Sequence, residues 1–479
     1  MDEEITTQLH QRFAYIPQFT PRSIAALLAA FLILALFYVI PTPEGLTFEG
    51  KMMLGILIVG AILWILEPIP LAITGLLIMI LQPLLGVMDA TEVFSSFGNQ
   101  AVFFLIGAFI LATGLEKYGI HRRIALRFLR FFGKNARSLT FGIMVSCAFL
   151  SFIMPSHGVA AFLLPIATTI LIASKVVPRQ SNFGKVSMLS VAYGCSIGSL
   201  GTLIGGARNP LTIEILAELD PPIYVSFFEW MIYAMPVVFI SLPVVWFILQ
   251  LVFPIEPVDI TKARDTIDAQ VQEVGRLSHQ GIIVSIIFLF TITLWVFFSN
   301  IIGLAVIALV GSILLFITRS ISWKDVEQSL PWGIILLYGG AVTLGVSMSE
   351  TGAGAWIAQQ VIGTVGGEVL LALFMLILLS VLLTNTMSNI GAVAILLPIA
   401  FGIATEIPGL TPLLGAMIVA LSGGLAFMLV IATPGNAIAY SSGYYSTRDL
   451  LKAGSLANIL CIFILFAVAW FYWQGVLQL

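Results

Sequence analysis

Charge is what this sequence has least of. Asp, Glu, Lys and Arg make up 9% of 479 residues, where an ordinary soluble domain carries about 25%. No pair of carboxylates falls in the middle of an apolar run: Glu67 lies at a turn, and Glu116 and Glu350 lie at run ends. A proton antiporter or a carrier of metal cations needs carboxylates within the membrane, so their absence argues against both. The three cysteines, Cys147, Cys195 and Cys461, all sit in apolar runs. They form neither a metal-binding spacing nor a disulfide framework and read as small buried residues. No Walker loop, GxSxG, HExxH or CxxC pattern occurs, which leaves an enzyme reading without support. The first residues are acidic and polar, without the basic start and cleavage site of a signal peptide.

What the sequence has is hydrophobicity, 59% of its residues, in long repeated runs that predict an all-α polytopic membrane protein. Residues 1–23 read as a polar cytoplasmic leader, and a first half follows over 24–253. Within it, 118–137 is a basic amphipathic stretch expected to lie as an arm in the membrane interface. The run 140–173 reads as a re-entrant hairpin, and a helix break is expected around 205–210. A charged cytoplasmic linker spans 254–279. The second half, 280–479, holds a second hairpin over 366–404 and a second break around 432–437.

Lysine and arginine positions orient the chain. With a cytoplasmic N-terminus and two re-entrant hairpins, the arm from Lys117 to Arg137 falls on the cytoplasmic side, with Lys175, Arg179, Lys185, Lys262, Arg264, Arg276, Arg319, Lys324, Arg448 and Lys452. Only Lys51 falls outside, and Arg208 is left at membrane depth. That bias follows the positive-inside rule. A full crossing by 140–173 would place the arm and the trio Lys175, Arg179 and Lys185 on opposite sides. The count therefore favours the hairpin and gives the two halves inverted topology.

The halves repeat. Residues 154–167 align without gaps on 387–400, an offset of 233, and eight of fourteen positions are identical. Gly107 matches Gly340, and Gly119 matches Gly352, at the same offset. The breaks Ile204-Gly205-Gly206-Ala207-Arg208-Asn209 and Ile431-Ala432-Thr433-Pro434-Gly435-Asn436 align at an offset of 227. Paired helix breaks in two hydrophobic halves mark a transporter's binding site. Helix N-termini there suit anions, while unwound carbonyls and hydroxyl or amide oxygens suit sodium. The oxygens on offer are those of Ser151, Ser156, Thr384, Thr386, Ser388, Asn389, Thr433 and Asn436. Such small polar residues also glue helices together. Arg208 either pairs with an anionic substrate, replaces a bound cation, or is structural, snorkelling to an interface or pairing with Glu214 or a helix C-terminus. His157, at the hairpin tip, either donates to an anion or is a structural histidine.

The hairpin tips followed by Leu-Leu-Pro-Ile-Ala, the turn Leu66-Glu67-Pro68-Ile69-Pro70 and the break Ala432-Thr433-Pro434-Gly435-Asn436 resemble the divalent-anion/sodium symporter (DASS, INDY-like) family. The resemblance covers about 25–475. It implies about eleven transmembrane helices in two inverted repeats, an elevator-type mechanism, a homodimer and a place in the cell (inner or plasma) membrane. Substrates would be di- or tricarboxylates or sulfate, usually with sodium. By carry-over, one sodium site would use Ser151, Ser156 and Gly205, and a second Thr384, Asn389 and Ala432. Substrate would meet Ser156, His157, Gly158, Arg208, Ser388, Asn389, Gly391 and Thr433. The family's Ser-Asn-Thr tip is here Ser388-Asn389-Ile390 and Pro155-Ser156-His157, and its Gly-Thr-Pro-Pro-Asn break is Gly205-Gly206-Ala207-Arg208-Asn209. The first site is thus altered where His157 and Arg208 add positive charge.

The sequence therefore predicts a secondary transporter of small divalent anions, C4-dicarboxylates first, with sodium in one or two sites. The alternatives are sulfate or another oxyanion, or sodium-independent exchange in which Arg208 and His157 replace a cation. A channel or antiporter, and a sensor with an output domain, lack the features each requires. Nucleic acid is not an expected partner.

Overall fold

The computed structural model describes residues 20–365 and 368–478. The leader expected over 1–23 lies almost wholly outside the described residues, as do 366–367 at the start of the second hairpin. Every regular element among the described residues is a helix.

Seven helices cross as single long rods: Pro21–Val39, Phe48–Leu66, Gln100–Lys117, Phe227–Val252, His279–Ile302, Trp332–Glu350 and Thr447–Gln474. Two shorter apolar helices, Leu71–Leu84 and Leu304–Ile317, cross beside them. Two more crossings are broken pairs, Asn182–Gly198 with Arg208–Ala217, and Pro412–Ser422 with Pro434–Ser441. These make eleven crossings among the described residues. The re-entrant hairpins are Ala136–Leu150 with Ser156–Ala173, and Val369–Thr386 with Asn389–Glu406. Five crossings separate the hairpins, so they enter from opposite faces.

The helices start where local chemistry directs. Thr47, Asn99, Asn135, Ser181 and Thr411 each accept a hydrogen bond from a first-turn backbone N–H, which satisfies donors that lipid cannot. Ser226 with Glu229, and Ser446 with Asp449, form full capping boxes. The cap at Asn135 sets the first hairpin's start at Ala136, four residues ahead of the sequence expectation. The linker is folded, not merely polar. Its helix Thr261–Val274 buries Ala263 and Ile267 and packs on the arm helix Ile120–Phe132 and on Ser156–Ala173.

The repeat survives as geometry. Leu71–Leu84 and Leu304–Ile317 stand 233 apart at both ends, as do Ile120–Phe132 and Ala353–Val365, and Ser156–Ala173 and Asn389–Glu406. Gly119 and Gly352 both adopt left-handed backbone, φ +61° and +68°, which suits glycine at the turn into each arm helix. The halves interlock. Gln100–Lys117 packs on Leu304–Ile317 of the other half, and Trp332–Glu350 on Leu71–Leu84. Four ion pairs, Lys117–Asp325, Arg122–Glu273, Arg130–Asp268 and Lys185–Asp449, join loops that therefore share one face.

The hairpins, broken helices and the long helices Phe227–Val252 and Thr447–Ala467 pack as one group, the hairpin group. The remaining long helices form a second group that walls one side of it.

Candidate functional site

Each break frees backbone groups that need partners in a dry interior. Asn209, fully buried, donates its Nδ2 hydrogens to Ser199 O at 2.8 Å and Thr202 O at 2.7 Å. Asn436, the equivalent residue, donates to Ala426 O and Leu429 O, both at 2.9 Å. A side chain from the next long helix holds one more carbonyl in each half: Trp230 Nε1 donates to Leu200 O at 3.0 Å, and Asn458 Nδ2 to Leu425 O at 2.9 Å. The breaks are therefore rigid loops. They run over 199–207, with the second half-helix beginning at Arg208, and over 423–433, with a short turn at Val430–Ala432.

Each hairpin tip seats on the break of its own half. At the first, the Ser156 N–H donates to Gly205 O at 3.3 Å, and Gly205 lies against the Ser151 carbonyl and Ser199 so closely that a Cβ would not fit. At the second, the Thr384 hydroxyl lies 2.6 Å from Gly423 O and 2.8 Å from Asn389 Oδ1. The Met428 N–H donates to Asn385 Oδ1 at 2.8 Å. The structure thus joins Ser151, Ser156 and Gly205 in one place and Thr384 and Asn389 in another. Ala432 stands in the short turn, and the carbonyl that Thr384 meets is that of Gly423.

Oxygen atoms without hydrogens to accept mark where a cation fits. Three oxygens meet at the second tip, and the single Thr384 proton cannot serve both of its neighbours. At the first, the buried Ser151 Oγ and Asn209 Oδ1 have no partner among the described residues, and neither has Asn436 Oδ1 in the second break. Hard oxygen ligands of this kind fit sodium.

Groups able to bind an anion stand at the starts of the hairpins' second helices. Ser156 and His157 open the helix Ser156–Ala173, Ser388 caps Asn389–Glu406, and neither helix has a side-chain cap. Among the described residues the Ser156, His157 and Ser388 side chains have no hydrogen-bond partner. They are half-buried, as is Gly158, while Gly391 is packed against Trp64. Thr433 caps Pro434–Ser441 by accepting from Asn436 N–H at 3.0 Å.

Arg208 is 4% exposed, and among the described residues no carboxylate pairs with it. Its Nε–H donates to Ala420 O at 3.0 Å and its Nη2–H to Ser199 Oγ at 3.0 Å. Ala420 and Ser199 end the first members of the two broken pairs, so the guanidinium lies where two helix C-termini, both partially negative, converge. Gly206 and Gly424 make room for it, since a Cβ at either would strike its nitrogens. Glu214 does not pair with Arg208. Its Oε2 accepts from the Ala101 N–H at 3.2 Å. Sequence reasoning missed Ser199, Asn385, Ala420 and Gly423, three of which act wholly or partly through backbone oxygens. The shared asparagine of the two breaks was the one signal available for Asn209 and Asn436.

The two halves are not packed alike. Residues 391–398 of the second hairpin are all buried, walled by Trp332–Glu350, Ala353–Val365 and Phe48–Leu66. In the first hairpin, Ala161 and Pro165 are exposed.

Eleven crossings in two inverted repeats, each with a hairpin tip seated on a broken helix, define a multi-pass membrane transporter and not an enzyme. The chain belongs to the sodium:sulfate symporter family, whose transmembrane-region model matches residues 22–479. It is 29% identical over 457 residues to the sodium-dependent dicarboxylate transporter SdcS of Staphylococcus saprophyticus, covering 90% of this chain and 87% of that one. The SdcS of a bovine strain of Staphylococcus aureus is 29% identical over 470 residues, covering 92% and 89%. Among solved structures, Neisseria gonorrhoeae MtrF, described within a class of antimetabolite efflux pumps, superposes with a TM-score of 0.60 at 12% identity, covering 97% of both chains. The YdaH transporter of Alcanivorax borkumensis superposes with a TM-score of 0.55 at 12% identity, covering 95% and 98%. These last two share the fold.

Proposed function

We propose that this chain is a sodium-coupled secondary active transporter of small divalent anions, C4-dicarboxylates first, that works by an elevator-type slide of the hairpin group against the other helices. The observation that carries the reading is the pair of hairpin tips. Each sits on a helix break and leaves hydroxyl or imidazole groups unpaired at a long helix's N-terminal end. Two such ends, one from each half, suit the two carboxylates of one anion. Substrate meets Ser156, His157 and Gly158 from one hairpin, Ser388, Asn389 and Gly391 from the other, and Thr433 from the second break. The relatives named as sodium-dependent dicarboxylate transporters support this choice, and the family's name keeps sulfate as the alternative.

Sodium joins Thr384, Asn389 and Gly423 O at the second tip, with Ala432 beside them. At the first, Ser151, Ser156 and Gly205 supply the ligands together with Asn209. The placement of basic residues gives a cytoplasmic N-terminus. With that orientation the exposed first hairpin faces the cytoplasm and the walled second hairpin is closed to the outside. The cell membrane as location and the homodimer follow from the family resemblance.

A second reading has its own observation. Arg208 puts a permanent positive charge between two helix C-termini, close to the first sodium position, and can do that ion's work. The protein would then exchange anions with less dependence on sodium, and Arg208 would act without touching substrate. Uptake of labelled succinate and labelled sulfate into proteoliposomes decides among these, with and without a sodium gradient, into empty and preloaded vesicles. Sodium-driven uptake into empty vesicles, abolished in Asn389→Ala, is the expected result. Uptake only into preloaded vesicles, indifferent to sodium, establishes exchange. No uptake of either anion under any of these conditions overturns the reading.

A further inference from the structure

The half-helix Arg208–Ala217 lies in a wedge between two helices of the walling group, Gln100–Lys117 and Trp332–Glu350. Two polar bonds hold it there. The Ala101 N–H, in the first turn of Gln100–Lys117, donates to Glu214 Oε2 at 3.2 Å. The Leu211 N–H donates to the buried Tyr338 hydroxyl at 3.2 Å. Glu214 is itself 9% exposed, and it lines a cavity of about 910 Å³ with Gln100, Ser226, Glu229 and Asn300. A carboxylate at a helix N-terminus is stabilised by the unpaired N–H groups and the helix dipole. The adjoining cavity gives it room to rehydrate once it lets go, so the bond can be broken and remade.

The repeat supplies a comparison within the same molecule. The equivalent half-helix, Pro434–Ser441, packs chiefly on the first hairpin and on Asn182–Gly198. When the hairpin group takes the opposite position, the inverted repeat puts Pro434–Ser441 in the wedge and takes Arg208–Ala217 out of it. The residues equivalent to the three polar partners are then Leu105 for Tyr338 (338 − 233), Ile334 for Ala101 (101 + 233) and Ser441 for Glu214 (214 + 227). Neither a phenol nor a carboxylate stands at those positions, so the opposite conformation cannot form the same bonds.

We propose that Glu214, seconded by Tyr338, is a positioning residue that latches the hairpin group in the conformation seen here, and that transport requires its release. The latch makes this conformation the resting one and rations the conformation in which the second hairpin is open. The proposal rests on the sliding motion of the proposed function, and its test separates the two.

The repeat also supplies the reporters. Ala161 in the first hairpin is exposed, whereas its equivalent Ala394 is 0% exposed. A slide to the opposite conformation exchanges their environments, while unfolding exposes both. Each is replaced by cysteine, Ala161→Cys or Ala394→Cys, and its labelling by a water-soluble maleimide is timed in detergent. The native cysteines are buried, and labelling of the protein without a reporter gives the background. Losing a bond to a charged acceptor shifts a two-state population by about tenfold. Glu214→Ala should therefore speed Ala394→Cys labelling about tenfold and slow Ala161→Cys. Tyr338→Phe should shift both in the same directions, and Glu214→Gln, which still accepts a hydrogen bond but without charge, should shift them less.

Faster labelling of both reporters means unfolding, not release, and overturns the latch as the residue's role. Unchanged rates in Glu214→Ala and Tyr338→Phe overturn it as well. The same reporters in the otherwise unaltered protein, with sodium plus succinate or sulfate, test the slide itself. If ligand exchanges their rates but the Glu214 variants do not, the latch alone fails. If nothing moves either reporter, the slide fails and the latch with it.

Discussion

Replacing Arg208 by alanine tests whether a protein charge occupies the place of an ion. The guanidinium is buried and donates to Ala420 O and Ser199 Oγ, both at 3.0 Å. Removing it leaves two buried acceptors unpaired, at roughly 1–3 kcal/mol each, so the junction of the two breaks should lose about 2–6 kcal/mol. The space vacated is lined by those oxygens. Sodium entering it recovers stability by mass action, about 2.7 kcal/mol at a concentration of ~100 Kd. The assay is thermal unfolding of purified protein in sodium chloride against choline chloride at equal ionic strength. If Arg208 does the first ion's work, the unaltered protein should gain stability from sodium through the Thr384 site alone. Arg208→Ala should melt lower in choline and gain more from sodium, and its transport should become more sodium-dependent. Arg208→Lys keeps the charge but not the two-pronged geometry, and should fall between them. If Arg208→Ala melts like the unaltered protein in both salts, with the same sodium dependence of uptake, the charge-replacement argument is refuted.

Three further substitutions follow from the same geometry. Asn389→Ala removes an amide from the oxygen cluster around Thr384 and should abolish sodium-driven uptake while the protein still elutes as a folded species in size-exclusion chromatography; uptake at the unaltered rate would remove Asn389 from the site. Asn436→Leu deprives Ala426 O and Leu429 O of their donor and should cost about 2–4 kcal/mol, read as a lowered melting temperature. Gly424→Ala would drive a methyl group into the Arg208 guanidinium and should mimic Arg208→Ala. Because the two residues touch, a double-mutant cycle of Gly424→Ala with Arg208→Ala should be strongly non-additive, and simple additivity would show that the glycine serves something else.

The architecture was legible because lipid and repetition both leave coarse marks. Long apolar runs fix where helices are, and a constant offset of 233 carried the frame from one half to the other. That offset holds at both ends of Ser156–Ala173 and Asn389–Glu406. The hairpin tips were legible too, since Ser156 and Ser388 break apolar sequence just where a helix restarts. What escaped was the backbone. Gly423 O meets the second tip at Thr384 and Ala420 O holds Arg208, yet a carbonyl is common to every residue and leaves no mark in a sequence. Ser199, Asn385 and Asn458 were equally invisible, because a lone small polar residue in an apolar run looks the same whether it holds a loop carbonyl or only packs. The partner of Arg208 was open among three readings, and distance alone decided for a helix C-terminus over Glu214.

A repeat explains why a molecule can have two conformations, but it cannot explain a preference between them. Were the halves identical, packing the second hairpin against the walling helices would be as favourable as packing the first. A preference must therefore lie where the halves differ. Differences at polar positions of the site and its supports include Arg208 opposite Gly435, His157 opposite Ile390, Glu214 opposite Ser441 and Tyr338 opposite Leu105. Arg208, Glu214 and Tyr338 lie on the half-helix beyond the first break or on the helix that grips it in this conformation, and His157 lies at the tip of the first hairpin. On the charge-replacement reading, Arg208 makes one break electrically self-sufficient and leaves the other, with Gly435, dependent on an ion. Glu214 and Tyr338 hold the half-helix beyond the self-sufficient break. Ion coupling and resting conformation then have a common origin: one half carries its own charge and its own latch, and the other waits for both to be supplied.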